Sequence, residues 1–217
     1  MARVTRSQNR VDEIVDSLIG EILSGRLQPL APLKEAALAA RFSVSRNTIR
    51  EAIRTLVARG LVSQHRHHSA AVGSLDQAAV TDLYRVRRVL ELSALDQNPH
   101  GMPESFHQIG AAVDQLHHAI EAADRPAIIE ADLAFHRAIV RLHRSHRLDR
   151  SFASCLNEVR LGLTFLEARD PILGRLLEEH RSIYTSLLQG ERDRCRAILA
   201  RHLDESERSV LAALAHP

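Results

Sequence analysis

The sequence has no tryptophan, two tyrosines and five phenylalanines, so a sheet-based core built on stacked aromatics is excluded from the start. Its two cysteines, Cys155 and Cys195, lack CxxC spacing and fit a reducing compartment rather than a disulfide scaffold. Long apolar runs are missing as well: the longest are a few residues, against the roughly 20 needed to cross a bilayer. The N-terminal MARVTRSQNR has no apolar centre of the kind a secretory signal needs, which predicts a cytoplasmic protein without a membrane partner. No charge sign dominates, with 29 Lys+Arg against 27 Asp+Glu. That balance conceals an asymmetry. Residues 1–73 hold 11 basic and 6 acidic side chains, hence +5, whereas residues 74–217 hold 18 and 21, hence −3. A basic head on a mildly acidic body suggests that the head meets a polyanion.

What is present is Ala, Leu, Arg and Glu, in a chain of 217 residues that is 45% hydrophobic and 26% charged. Such a mixture predicts a folded, mostly α protein with one large or two small domains. Val11, Ile14, Val15, Leu18, Ile19 and Ile22 recur at helical spacing and stop at Gly25. Pro29 and Pro32 break the chain before a short helix over 34–41. After the turn FSVS, Ser45 is a fitting N-cap for a helix whose buried stripe is Ile49, Ala52, Ile53, Leu56 and Val57, closed by Gly60. Two strand-like runs, 61–63 and 70–72, flank the polar segment Gln64 to Ser69. This order predicts a winged helix-turn-helix over 8–73. Beyond a linker from Gly73 to Asp76, six helices are expected over 76–97, 104–122, 125–143, 147–168, 172–189 and 192–214, an antiparallel bundle spanning 76–215.

A recognition helix places its N-terminal side chains on base edges in the major groove, which favours Arg, Asn and Thr there. The segment SRNTIRE supplies them. Asn47, Thr48 and Arg54 face away from the buried stripe, Arg50 flanks it and Arg46 projects from the first turn. The plain alternative is a solvated charged face. The stretch LKEAALAARFSVSRNTIREAIRTLVARGLV resembles the winged helix-turn-helix of the GntR family of bacterial transcription regulators, through Leu33, Glu35, Leu38-Ala39, Val44-Ser45-Arg46, Arg50-Glu51-Ala52 and Gly60-Leu61-Val62. The resemblance implies DNA contacts from Arg46, Thr48 and Arg50, with Asn47 beside them and a wing in the minor groove. Two positions depart from the family pattern. Pro29-Leu30 stands where Pro-Gly is usual, and His68-Ser69 replaces Arg-Gly at the wing tip.

In the body, Asp132 and His136 are one helical turn apart, between the apolar rows of Ile128, Ala131, Phe135, Ile139 and of Ile129, Val140. His180 sits at the centre of the stripe Leu173, Leu176, Leu177, Ile183, Tyr184, Leu187, and His202 lies between the core positions of the last helix. Three helices thus turn one carboxylate and three imidazoles inward. A divalent cation would satisfy all four, with zinc first among Zn, Ni, Mn and Fe; the alternative is four core residues bonded locally, and His143 is a rival ligand. The segments YRVRRVLE, DLAFH and LEEHRSIYTSLLQGERDRCRAILARH are similar to the metal-carrying, FCD-type effector domain of the FadR-like branch of the same family. That similarity implies that Asp132, His136, His180 and His202 are the ligands. It also implies a pocket for a small organic acid lined by Arg87 or Arg88, while Asn157 and Arg160 are candidate lining residues by position.

The expected function is a homodimeric regulator, a repressor rather than an activator, that binds a pseudo-palindromic double-stranded DNA operator and releases it when a small carboxylate metabolite binds. A metal-dependent enzyme acting on a small organic acid is the alternative. Against it, the chain has no HExxH and one Glu-x-x-His, at Glu104 and His107, where a di-iron bundle uses two.

Overall fold

The structure is a computed structural model that describes residues 2–64, 70–96, 103–164 and 170–215, and it divides into two units, Met1–Ser74 and Leu75–Pro217. The first contains α1 (Ala2–Leu23), α2 (Glu35–Phe42), α3 (Arg46–Ala58), β1 (Val62–Ser63) and β2 (Ala71–Val72). The second contains α4 (Gln77–Ala94), α5 (Pro103–Glu121), α6 (Arg125–Val140), α7 (His146–Thr164), α8 (Asp170–Leu188) and α9 (Arg192–Ala215). Mostly α character, with a helix-turn-helix head and a helical body, is thereby established.

Within the first unit, α1 buries Val11, Ile14, Val15, Leu18, Ile22 and Leu23, one stripe at spacings of three and four. It packs on α3, whose inward stripe is Ile49, Ala52, Ile53 and Leu56. The turn between α2 and α3 is tight because Ser43 takes a left-handed conformation and its N–H reaches back to the carbonyls of Ala39 and Ala40. Ser45 then starts α3, its Oγ accepting from the Thr48 N–H at 3.1 Å. Gly25 and Gly60 stop α1 and α3 at positive φ. The strands pair antiparallel, Val62 with Val72 and Ser63 with Ala71, and Pro32 bridges to Ala71. Leu30 occupies the left-handed region at φ 64, the conformation for which the family pattern supplies glycine. The wing tip, including His68 and Ser69, lies outside the described residues.

The second unit buries Ile109, Leu116, Phe135, Ile139, Ile183, Leu199 and Leu203 in one core. Val80, Tyr84 and Val210 form a smaller cluster. Asp76 and Asp124 cap α4 and α6 by accepting from Ala79 N–H (2.7 Å) and Ala127 N–H (3.1 Å). Helices α5 and α8 approach closely at Gly110, where a Cβ would lie 2.6 Å from the Tyr184 hydroxyl. Helix α6 ends at Val140, before the expected 143, because Arg141–His143 tighten into a 3-10 turn that Arg144 closes at φ 52. Among the described residues, no helix is long and apolar enough to cross a membrane.

Candidate metal centre and nucleic-acid interface

On α3, Arg46, Asn47, Arg50 and Arg54 are exposed and Thr48 is half-buried beside the Ser45 cap, with their hydroxyls 2.9 Å apart. Arg46, Arg50 and Arg54 recur every four residues, so three guanidiniums follow one another along one side of the helix. Arg50 is pre-oriented: its Nε donates to Glu35 Oε2 on α2 at 2.8 Å. At the other end of α2, Arg41 is paired with the buried Glu21 of α1, which ties α2 to α1.

The centre of the second unit holds the four residues singled out from their helical faces. Asp132, His136, His180 and His202 are all buried, and each offers one ligand atom within 4.8 Å of the others. Asp132 Oδ1 lies 3.1 Å from His180 Nε2 and 3.7 Å from His136 Nε2, and the Nε2 atoms of His136 and His202 are 3.2 Å apart. The other ring nitrogen of every histidine has its own acceptor. His136 Nδ1 faces Glu91 Oε2 at 2.5 Å, His202 Nδ1 faces Glu179 Oε2 at 2.8 Å, and His180 Nδ1 faces the Leu176 carbonyl at 2.8 Å. Carboxylate and carbonyl oxygens only accept, so each Nδ1 carries hydrogen, and a ring without a second proton points an Nε2 lone pair at the centre. His180 Nε2 accordingly has no hydrogen-bond partner among the described residues, although Asp132 is near it.

Electrostatics around the cluster follow from burial among mixed charges. Burial pushes the Asp132 carboxyl up, but His136 and His180 outweigh it and hold it well below the usual carboxylate range. Burial pushes His202 down to about 4, so this ring is neutral at ordinary pH despite its bond to Glu179. For His136 burial also acts downward, yet Glu91 and Asp132 together raise it. Glu91 is fully buried and held below its ordinary value, because Arg87 and His136 overcome the desolvation that would raise it.

Of the two candidate arginines of α4, adjacent in sequence and therefore about 100° apart, only Arg87 turns inward. Its Nε donates to Glu91 Oε1 at 2.8 Å, its guanidinium lies 5.0 Å from the Tyr84 ring centroid, and its Nη2 is buried without a hydrogen-bond partner among the described residues. Arg88 instead joins α4 to α9 through Asp204 (2.7 Å) and Glu207. Arg160 on α7 binds Glu130 of α6 through two nitrogens, at 2.6 and 2.8 Å, and donates to Asn157 Oδ1 at 2.9 Å. Arg88 and Arg160 are thus engaged in helix-to-helix ion pairs, and Asn157 is held by Arg160 on the same helix. His143 is not part of the cluster; its Nε2 donates to the Leu90 carbonyl at 2.9 Å. Sequence reasoning missed Glu91 and treated Glu179 only as the neighbour of His180. Both stand four residues after an arginine, Arg87 and Arg175, a spacing that Arg201 and Glu205 share and that therefore singles out neither.

A second group, His117, His118 and Glu121, could also hold an ion at the surface end of α5, but its side chains are half-buried to exposed. Interior placement and three anchored tautomers distinguish the first group.

Comparison with known proteins agrees with both halves. The profile "Bacterial regulatory proteins, gntR family" matches residues 10–72 and the profile "FCD domain" matches residues 82–205. The "Probable D-xylose utilization operon transcriptional repressor" of Paenarthrobacter nicotinovorans is 27% identical over 214 residues, covering 99% of this chain and 92% of its own. The galactonate operon transcriptional repressor of Escherichia coli (strain K12) is 28% identical over 210 residues, covering 85% and 90%. A crystal structure of a GntR transcriptional regulator from Rhodococcus sp. RHA1 superposes with a TM-score of 0.81 at 27% identity, covering 94% of this chain and 99% of that one. Relatives of this kind are regulators rather than enzymes, which sets the metalloenzyme alternative aside. The chain belongs to the GntR family of DNA-binding bacterial transcription regulators and carries an FCD domain in its helical half.

Proposed function

We propose that this regulator is a repressor, working in the cytoplasm as a homodimer, whose hold on a pseudo-palindromic operator is set by a small carboxylate metabolite and a divalent metal ion. Asp132, His136, His180 and His202 are the proposed ligands. The observation that carries the reading is the set of three imidazoles, each anchored through Nδ1, whose Nε2 atoms converge with one carboxylate oxygen among buried side chains. The separations of 3.1, 3.2 and 3.7 Å are short enough for arms of about 2.1 Å, about 4.2 Å across, to meet at one ion. Three nitrogens and one oxygen suit zinc first, with nickel, manganese and iron as alternatives. When bound, the ion supplies a Lewis-acidic position for a ligand oxygen.

Arg87 supplies the second anchor. Its buried Nη2 lacks an acceptor, and an acid's carboxylate would satisfy it with a charge-assisted bond. The E. coli relative is named for the galactonate operon, and a sugar acid is an effector of this chemical class. On the nucleic acid, Arg46, Asn47, Thr48, Arg50 and Arg54 read the groove, the three arginines placing charge along it. The effector shifts the dimer between arrangements that do and do not match two half-sites, through its different affinity for each. Elemental analysis with mass spectrometry of gently purified protein tests the core of this reading. One equivalent of transition metal that disappears in His180→Ala is the expected result. Equal metal in both proteins would refute the assignment.

A further inference from the structure

Two of the imidazoles in the cluster face each other, with carboxylates holding them from behind. Glu91 of α4 takes His136 Nδ1 and Glu179 of α8 takes His202 Nδ1, leaving the two Nε2 atoms 3.2 Å apart. Each glutamate is backed by an arginine one turn earlier on its own helix: Arg87 Nε at 2.8 Å from Glu91, Arg175 Nε at 3.7 Å from Glu179. Two neutral imidazoles at such a separation would ordinarily close with one N–H···N hydrogen bond, and a metal-free site would then be satisfied. Closure requires one ring to carry its hydrogen on Nε2. That ring would then turn an Nδ1 lone pair toward a carboxylate, which has no hydrogen to give.

Building on the metal reading above, we propose that Glu91 and Glu179 are positioning residues that hold His136 and His202 as Nδ1–H tautomers and so prevent two neutral rings of the metal-free centre from closing on each other with an internal hydrogen bond. Both lone pairs then confront each other across 3.2 Å, and only a cation, a metal ion or a third proton, relieves them. The centre is thereby kept open for its ion by residues that do not touch it. The two relays differ in setting. Arg87 and Glu91 have side chains 1% and 0% exposed, whereas the Arg175 side chain is 55% exposed, so the Glu179 side can be altered with less disturbance to the core.

Glu179→Gln is the decisive variant. It preserves size, and its amide presents both an acceptor oxygen and a donor nitrogen, so either tautomer of His202 is satisfied. Two quantities are measured on the full-length protein. The first is the ring ¹⁵N shifts of His202 after metal stripping, identified by loss of the signals in His202→Gln. The second is zinc affinity, by competition with a chromophoric chelator. The wild type is expected to show His202 as Nδ1–H and the variant to populate Nε2–H, with zinc binding weakened about 10- to 100-fold. Glu179→Asp, which keeps the carboxylate, is expected to restore the wild-type tautomer. An Nε2–H His202 in the stripped wild type, or undiminished zinc affinity in Glu179→Gln, overturns the proposal. Should the wild type itself bind no zinc, the metal reading fails, and the tautomer measurement still decides the positioning role.

Discussion

Glu91→Ala is the substitution whose cost the structure fixes most directly. The carboxylate is fully buried, one oxygen receiving Arg87 Nε at 2.8 Å and the other His136 Nδ1 at 2.5 Å. Truncation strands a guanidinium that is 1% exposed and already has one nitrogen without an acceptor, and it removes the anchor of a buried imidazole. Breaking a buried pair from one side costs about 3–5 kcal/mol, a large share of the roughly 5–15 kcal/mol that holds a domain together. For a chain of this size that is a drop of roughly 6–20 °C in the midpoint of the helical unit. Thermal unfolding of metal-stripped full-length protein, followed by circular dichroism, measures it without the contribution of a bound ion. The double variant Arg87→Met/Glu91→Leu, which removes both charges and keeps the volume, should recover much of the loss. A single variant within about 1 kcal/mol of the wild type, or a double variant no better than the single, would refute the account of the buried pair.

Other perturbations probe the remaining parts. Arg50→Ala should weaken operator binding by about 1–3 kcal/mol in a gel-shift titration, and Arg46→Ala should reduce the salt dependence of binding. Saturating zinc at about 1,000 times its dissociation constant should raise the stability of the helical unit by about 4 kcal/mol, and a chelator should abolish that gain in calorimetry. Glu21 is held below its ordinary value by Arg41, so its folded form is the more acidic one. Its stabilising contribution is therefore fully present above the ordinary value of 4.5 and is lost as pH falls through the lowered folded value. The stability difference between wild type and Glu21→Gln, from urea titrations at several pH values, should shrink as pH falls through that lowered value; a constant difference would refute the pairing. Leu30→Gly relieves a left-handed leucine, worth about 1–2 kcal/mol, against a glycine entropy cost of roughly 0.5–1 kcal/mol. The net is expected to be neutral to slightly stabilising.

The helix-turn-helix was readable because its signals are local. Ser45 caps within three residues, Ile49, Ala52, Ile53 and Leu56 repeat within one helix, and Gly25 and Gly60 stand at the positive-φ ends their residue type predicts. The four-residue cluster was readable for a related reason: each member's inward direction follows from the apolar row of its own helix. What escaped is non-local. Glu91 meets a histidine 45 positions away, and nothing in the period of α4 distinguishes a glutamate aimed at a partner from one aimed at water. Arg87 and Arg88 could not be separated in sequence either, because the choice depends on which side of α4 faces α9, where Asp204 and Glu207 wait for Arg88. Helix α6 stops three residues short of the expected 143, a difference the sequence does not signal, since Arg141, Leu142 and His143 are unexceptional helix formers and the left-handed Arg144 carries no glycine to announce the stop.

Helix α4 begins at its Asp76 cap, just after the chain leaves the head, and reaches the cluster at Glu91. The intervening backbone is a rod of roughly 22 Å at a rise of about 1.5 Å per residue. A tilt of about 5° pivoting at its glutamate end would displace its capped end by about 2 Å over that length. Leverage of this kind needs no chain of rearranged side chains, only a stiff beam with its fulcrum beside the four buried side chains.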